Sequence, residues 1–136
     1  MTETQFIREY RASLKAKYPQ AFIRKILGGA FASGLPDLYI CNDGLSLWVE
    51  VKIKQSKKLF DIQSLPSANQ KAVMRDMASA GANVYIVAAC KDAAIVSRYL
   101  HKIEMPRCYA DDATMIRGRG GVWQSCGGGK ILIGIS

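Results

Sequence analysis

Acidic residues are scarce in this 136-residue chain: eleven Asp and Glu stand against nineteen Lys and Arg, giving a formal charge of +8 and a sequence pI near 9.5. That imbalance disfavours a cationic partner and favours an anionic one, nucleic acid above all. Histidine is nearly missing, with His101 alone, and Cys41, Cys90, Cys108 and Cys126 are widely spaced without a Cys-x-x-Cys. This pattern argues against zinc. Cys41 and Cys90 end apolar runs and are expected as buried reduced thiols, and His101 as a structural residue at a helix end. No signal peptide and no run of about 18 apolar residues is present, so the expectation is a soluble, cytoplasmic protein with no membrane partner. Internal repeats and low-complexity segments are also lacking. The 49% apolar content is that of a globular chain, and 136 residues is the length of one domain.

One stretch carries chemistry. Gly34-Leu35-Pro36-Asp37 runs into the apolar Leu38-Tyr39-Ile40-Cys41, and thirteen residues after Asp37 comes Glu50-Val51-Lys52. Asn42-Asp43-Gly44 is hairpin chemistry, so residues 38–41 and 45–53 are predicted to pair as antiparallel strands. Alternation puts Glu50 and Lys52 on one face and Val49 and Val51 on the other. The hairpin then brings Asp37, Glu50 and Lys52 to one edge. Two hard oxygen ligands suit Mg²⁺, which keeps several of its waters. Such an ion offsets charge on a phosphate and acidifies bound water, while the Lys52 ammonium can orient that water or stabilise the transition state. Taken singly, Glu-x-Lys is an ordinary solvated strand face and Pro-Asp after Gly an ordinary turn. Together they point to metal-assisted attack on a phosphodiester.

The same residues, Gly34-x-Pro36-Asp37 followed by Glu50-x-Lys52, resemble the PD-(D/E)XK nuclease signature. The wording Ser33 to Leu38 and Trp48 to Lys52 is similar to the VRR-NUC branch and to the small Holliday-junction resolvases of phages and archaea. The resemblance spans roughly residues 1–100. It implies an α/β fold with a restriction-endonuclease-like core, α-β-β-β-α-β, in which helices flank a mixed central sheet. It also implies an Mg²⁺-dependent DNA endonuclease, with Mn²⁺ as the alternative ion. Asp37 and Glu50 would hold the metal, the Val51 carbonyl would add a ligand, and Lys52 would act on the nucleophile or transition state. In the family a Glu on the first helix completes the site, which points to Glu3, with Glu9 as the fallback; a first-turn carboxylate is equally a dipole partner. A glutamine near the catalytic lysine in that branch points to Gln70, which helix capping explains as well. Junction-resolving members act as homodimers, so branched DNA such as a Holliday junction and a second copy of the chain are the expected partners, in a phage-encoded setting. A nucleic-acid-binding module that keeps the fold but does not cut is the alternative.

Along the chain, a helix is predicted from Glu3 to Lys17, capped by Thr2 and burying Phe6, Ile7, Tyr10 and Leu14, with Arg8, Arg11 and Lys15 off that stripe. Residues 21–27 read as a strand, and 28–34 as a flexible Gly-rich loop that either lets a DNA backbone approach or merely connects. Lys25, Lys54, Lys57 and Lys58 flank the motif and are expected on phosphate. Residues 54–66 read as a polar connection, followed by a helix with Ser67 as N-cap and Gln70 at its third position, carrying Val73, Met74 and Met77 inward. Residues 84–89 form an apolar run expected as a central strand, and 92–102 a closing helix. Residues 1–104 are read as the nuclease-like core and 105–136 as an extension of the same domain ending in a β-hairpin. Sheet extension, a second subunit and DNA are all open roles for that extension.

Overall fold

The computed structural model describes residues 1–29, 32–54, 62–106, 121–126 and 131–132. Lys57, Lys58, Gly127 to Lys130 and the run from Arg117 to Gly120 lie outside them.

Helix α1 (Glu3–Lys17) starts at a capping box: the Thr2 side chain accepts from Gln5 N, and the Gln5 side chain returns to Thr2 N. Its apolar stripe Phe6, Ile7, Tyr10 and Leu14 is buried, as its spacing predicts. Strand β1 (Phe22–Lys25) is shorter than expected, because its pairing with β2 (Leu38–Asn42) runs out at Lys25↔Leu38. A single further bond, Ile26 N to Asp37 O at 2.7 Å, continues beyond it.

β2 turns directly into β3 (Leu45–Lys54) through Asp43 and Gly44, both at positive φ (50° and 80°). Those are the conformations of a type I′ turn, whose twist matches that of the strands. Leu38, Ile40, Leu47, Val49 and Val51 are buried on one face, as strand alternation requires. A crossover through α2 (Ala68–Ser79) brings β4 (Asn83–Cys90) alongside β3 in parallel. β4 is buried from Val84 to Cys90, the pattern of a central strand covered on both faces. Helix α3 (Ala93–Leu100), capped by Asp92, packs on β4 and on β5 (Val122–Cys126). β6 (Ile131–Leu132) completes one mixed sheet in the order β1-β2-β3-β4-β5-β6. The class is α/β, and the element order α-β-β-β-α-β is the expected one. Of the roles open to the chain's last part, sheet extension is realised: β5 pairs antiparallel with β4. Among the described residues no helix is long and apolar enough to cross a membrane.

Two expectations need correction. The connection after β3 is not wholly polar: a 3₁₀ turn, Ile62–Ser64, buries Ile62 completely, and the apolar residues of this stretch (Leu59, Phe60, Ile62 and Leu65) follow neither a helical nor a strand period that would announce it. Cys41 is half-buried rather than buried. It shares a face with Tyr39, opposite the core-facing Leu38 and Ile40, and its thiol bonds the Tyr39 hydroxyl at 3.1 Å. That bond, and a second contact with the Ser46 hydroxyl, hold the thiol pKa below its ordinary value. Cys90 is buried, as expected.

Candidate metal centre

Four ties fix Asp37 where β2 begins. The preceding loop is clamped to the start of α2 by Asn69 Nδ2 donating to Ser33 Oγ at 3.0 Å. Gly34 sits at φ +80°, and a Cβ there would lie 2.6 Å from Val73 Cγ2 and 2.9 Å from Asn69 Nδ2, so only glycine allows this approach. Pro36 is buried. The Asp37 carbonyl accepts from Ile26 N. At Gly34 the loop is therefore a docked segment, which corrects the expectation of plain flexibility.

The side chain of Asp37 continues the β2–β3 pairing beyond its last backbone pair. β2 pairs with β3 only as far as Leu38↔Val49, so the β2-facing edge of β3 beyond Val49 lacks a strand partner among the described residues. Asp37 Oδ2 accepts from Val51 N at 2.8 Å and caps that edge. In a strand, a residue's N–H and C=O point to the same side. The Val51 carbonyl is therefore also directed toward Asp37.

Glu50 comes from the next residue of β3, on the face shared with Ile86 of β4. It is 1% exposed, its carboxyl group meets that of Asp37, and its Oε2 has no hydrogen-bond partner among the described residues. Burial raises its pKa first, and the hydrogen bond to Asp37 and the Asp37 charge raise it further. Lys52 opposes them, Glu3 adds a smaller push upward, and the result is about 9, against an ordinary 4.5. Two carboxyl groups held together in this way either share a proton or share a cation. The donor set, two carboxylates and a backbone carbonyl, is the hard-oxygen chemistry of Mg²⁺ or Mn²⁺, so the residues present fit such an ion.

The remaining sequence-predicted residues fall variously. Lys52 and Lys54 alternate onto the Glu50 face and are half-buried. Glu3 is exposed in the first turn of α1; its charge reaches Glu50, yet no group of three His, Cys, Asp or Glu forms a ligand cluster among the described residues. Glu9, two turns along, is half-buried and does not figure among the charges felt at Glu50. Gln70 spends its Oε1 on the cap, accepting from Ser67 N at 2.9 Å. Lys25 is exposed and pairs with Leu38, which puts it on the face opposite Glu50. Sequence reasoning missed the Ser33–Asn69 clamp and the Gln63 Nε2 bond to Ser125 Oγ at 3.0 Å, which ties the 3₁₀ turn to β5. The partners in these pairs are 36 and 62 residues apart and carry no local signal.

No family model and no curated protein matches the chain. Among solved structures, Hjc from Archaeoglobus fulgidus, a Holliday junction resolvase from an archaeal hyperthermophile, is similar at 20% sequence identity with a TM-score of 0.47. The match covers 67% of this chain and 66% of that one, a little under two thirds of the relative's length.

Proposed function

We propose that the protein is a metal-dependent DNA endonuclease that hydrolyses phosphodiester bonds, with Asp37, Glu50 and Lys52 at its centre. The observation that carries this reading is the buried Glu50 carboxyl, pressed against Asp37 with Oε2 unpartnered. A structural acid is rarely left so, because one buried polar atom without a partner costs about 1–3 kcal/mol.

Asp37, Glu50 and the Val51 carbonyl would hold the divalent cation, and Glu3, whose charge is felt at Glu50, would join through its long side chain. When bound, the ion supplies charge neutralisation at the phosphate and a more acidic water. The chain's own residues do the rest. The Val51 amide locks the Asp37 carboxylate so that its second oxygen stays directed. Lys52 lowers the proton affinity of Glu50, which eases loss of its proton to a bound cation, and places an ammonium where an attacking water or a crowded phosphate needs a donor. The cap occupies Gln70 Oε1, so Nε2 is the group it leaves to contact phosphate or water. Lys54 lies on the same face for the neighbouring phosphate, whereas Lys25, facing away, would contact DNA only by wrapping of the strand around the sheet edge. The intended substrate is branched DNA, cut by a homodimer whose two-fold symmetry matches a four-way junction.

The test is cleavage of labelled DNA in Mg²⁺. Asp37→Asn and Lys52→Ala should each lower the rate by at least a hundredfold, and Lys52→Ala should leave DNA binding in EDTA within about threefold of wild type. Full activity in Asp37→Asn would rule out the site. Equal loss of binding and cleavage in Lys52→Ala would demote the lysine to a phosphate contact.

A further inference from the structure

Helix α1 carries Arg8, Arg11 and Lys15 at spacings of three and four residues, hence on one face. The chain reverses after Tyr18 and returns as β1 with Arg24 beside that face. Between helix and strand lies an open cleft of about 500 Å³. Four of its eight lining residues are these cations, and none is acidic. Ala12 and Ala21 keep its walls low. Lys15 Nζ donates to the Ala21 carbonyl at 2.6 Å, joining the two walls, and the Arg24 guanidinium lies 4.8 Å from the centre of the Phe22 ring. Among the described residues none of the four cations forms an ion pair. Like charges gathered around a concavity without counter-ions repel one another, and an anion entering the cleft relieves that repulsion.

We infer that the α1–β1 cleft binds the phosphate backbone of a nucleic-acid strand, as a docking site additional to the Asp37–Glu50 centre. The inference rests on the nucleic-acid substrate proposed above. From Arg8 to Lys15 the helix advances about 10 Å at 1.5 Å per residue, and three successive phosphates of one strand advance about 7 Å along the duplex axis, a difference that long Arg and Lys side chains span. Three side-chain cations along α1 therefore match about three successive phosphates, and Arg24 contributes from the opposite wall. The same helix begins at Glu3, whose charge reaches Glu50, so a strand lying in the cleft runs toward the carboxylate pair. An acidic protein would meet the same charge, but it lacks the unbroken row of anions that a phosphodiester strand lays along the cleft.

The experiment is fluorescence anisotropy with a labelled DNA duplex in EDTA across a salt series. The subjects are wild type, the combined Arg8→Ala, Arg11→Ala and Arg24→Ala protein, its charge-keeping counterpart with Lys at all three positions, and a number-matched control altering the exposed Arg75, Lys91 and Arg98 to Ala. The cleft protein should bind at least tenfold more weakly and lose two to three units of the log Kd–log salt slope, at about 0.9 per lost phosphate contact. The Lys version should restore the slope, and the control should stay within about twofold of wild type. Unchanged binding in the cleft protein, an equal loss in the control, or a wild type that does not bind DNA would each overturn the inference. Cleavage by wild type in Mg²⁺ is measured in parallel. Cleavage with cleft-independent binding removes this inference alone, and cleft-dependent binding without cleavage removes the hydrolase reading alone.

Discussion

Glu50 concentrates the electrostatic tension of the molecule. Its pKa of about 9 lies above the ordinary 4.5, so between these values the folded metal-free protein keeps a proton that the unfolded chain gives up. The unfolded state then binds fewer protons, and stability falls as pH rises. The contribution is fully present below about pH 4.5 and lost by about pH 9. Denaturant midpoints of metal-free protein should accordingly decline across that window, and Glu50→Gln, neutral in both states, should flatten the decline; an unchanged slope in the variant would assign it to other groups. Mg²⁺ should also reverse it, releasing close to one proton on binding at neutral pH, because a cation favours the carboxylate. At this scale the sequence told much: strand alternation and the hairpin sufficed to bring Asp37 and Glu50 together. The role of the Val51 amide was not legible, because it depends on where β2 stops pairing with β3.

Among the elements, the loop between β1 and β2 governs how well the centre is held. Gly34 meets α2 at 2.6 Å from its virtual Cβ and adopts φ +80°, so Gly34→Ala adds a clash to an unfavourable backbone conformation. A loss of about 1–3 kcal/mol is expected, together with reduced cleavage, because the displaced loop carries Asp37. Chemical denaturation and a single-turnover rate measure the two effects, and a variant as stable and active as wild type would show that the clamp is dispensable. The helices themselves were legible from local signals: Thr2 caps α1, Ser67 and Gln70 form the capping box of α2, and the buried stripe of α1 recurs at helical period. Illegible were the burial of Ile62 and the half-exposure of Cys41, each decided by which neighbour reaches that position in three dimensions.

For the whole molecule, charge and topology together limit what the protein can act on. On the proposed reading, a net +8, a carboxylate pair at the end of the β2–β3 pairing and a basic cleft along α1 together form a surface that would meet phosphate at more than one point. A four-way junction engages such a surface along two arms, so cleavage of a junction should exceed that of linear duplex of equal length by at least tenfold, with flap and nicked substrates between; indifference among the four would refute selectivity for branches. The parallel pairing of β3 with β4 and the place of β5 beside β4 depend on contacts distant in sequence, which local patterns do not encode. The central claim, that two carboxylates from the β2–β3 hairpin converge on one cation, is tested most directly by anomalous diffraction from crystals soaked in Mn²⁺. The account predicts a peak at bonding distance, roughly 2.0–2.2 Å, from the carboxylates of Asp37 and Glu50 and close to the Val51 carbonyl; a well-ordered Glu50 with no peak beside it at saturating Mn²⁺ would contradict it.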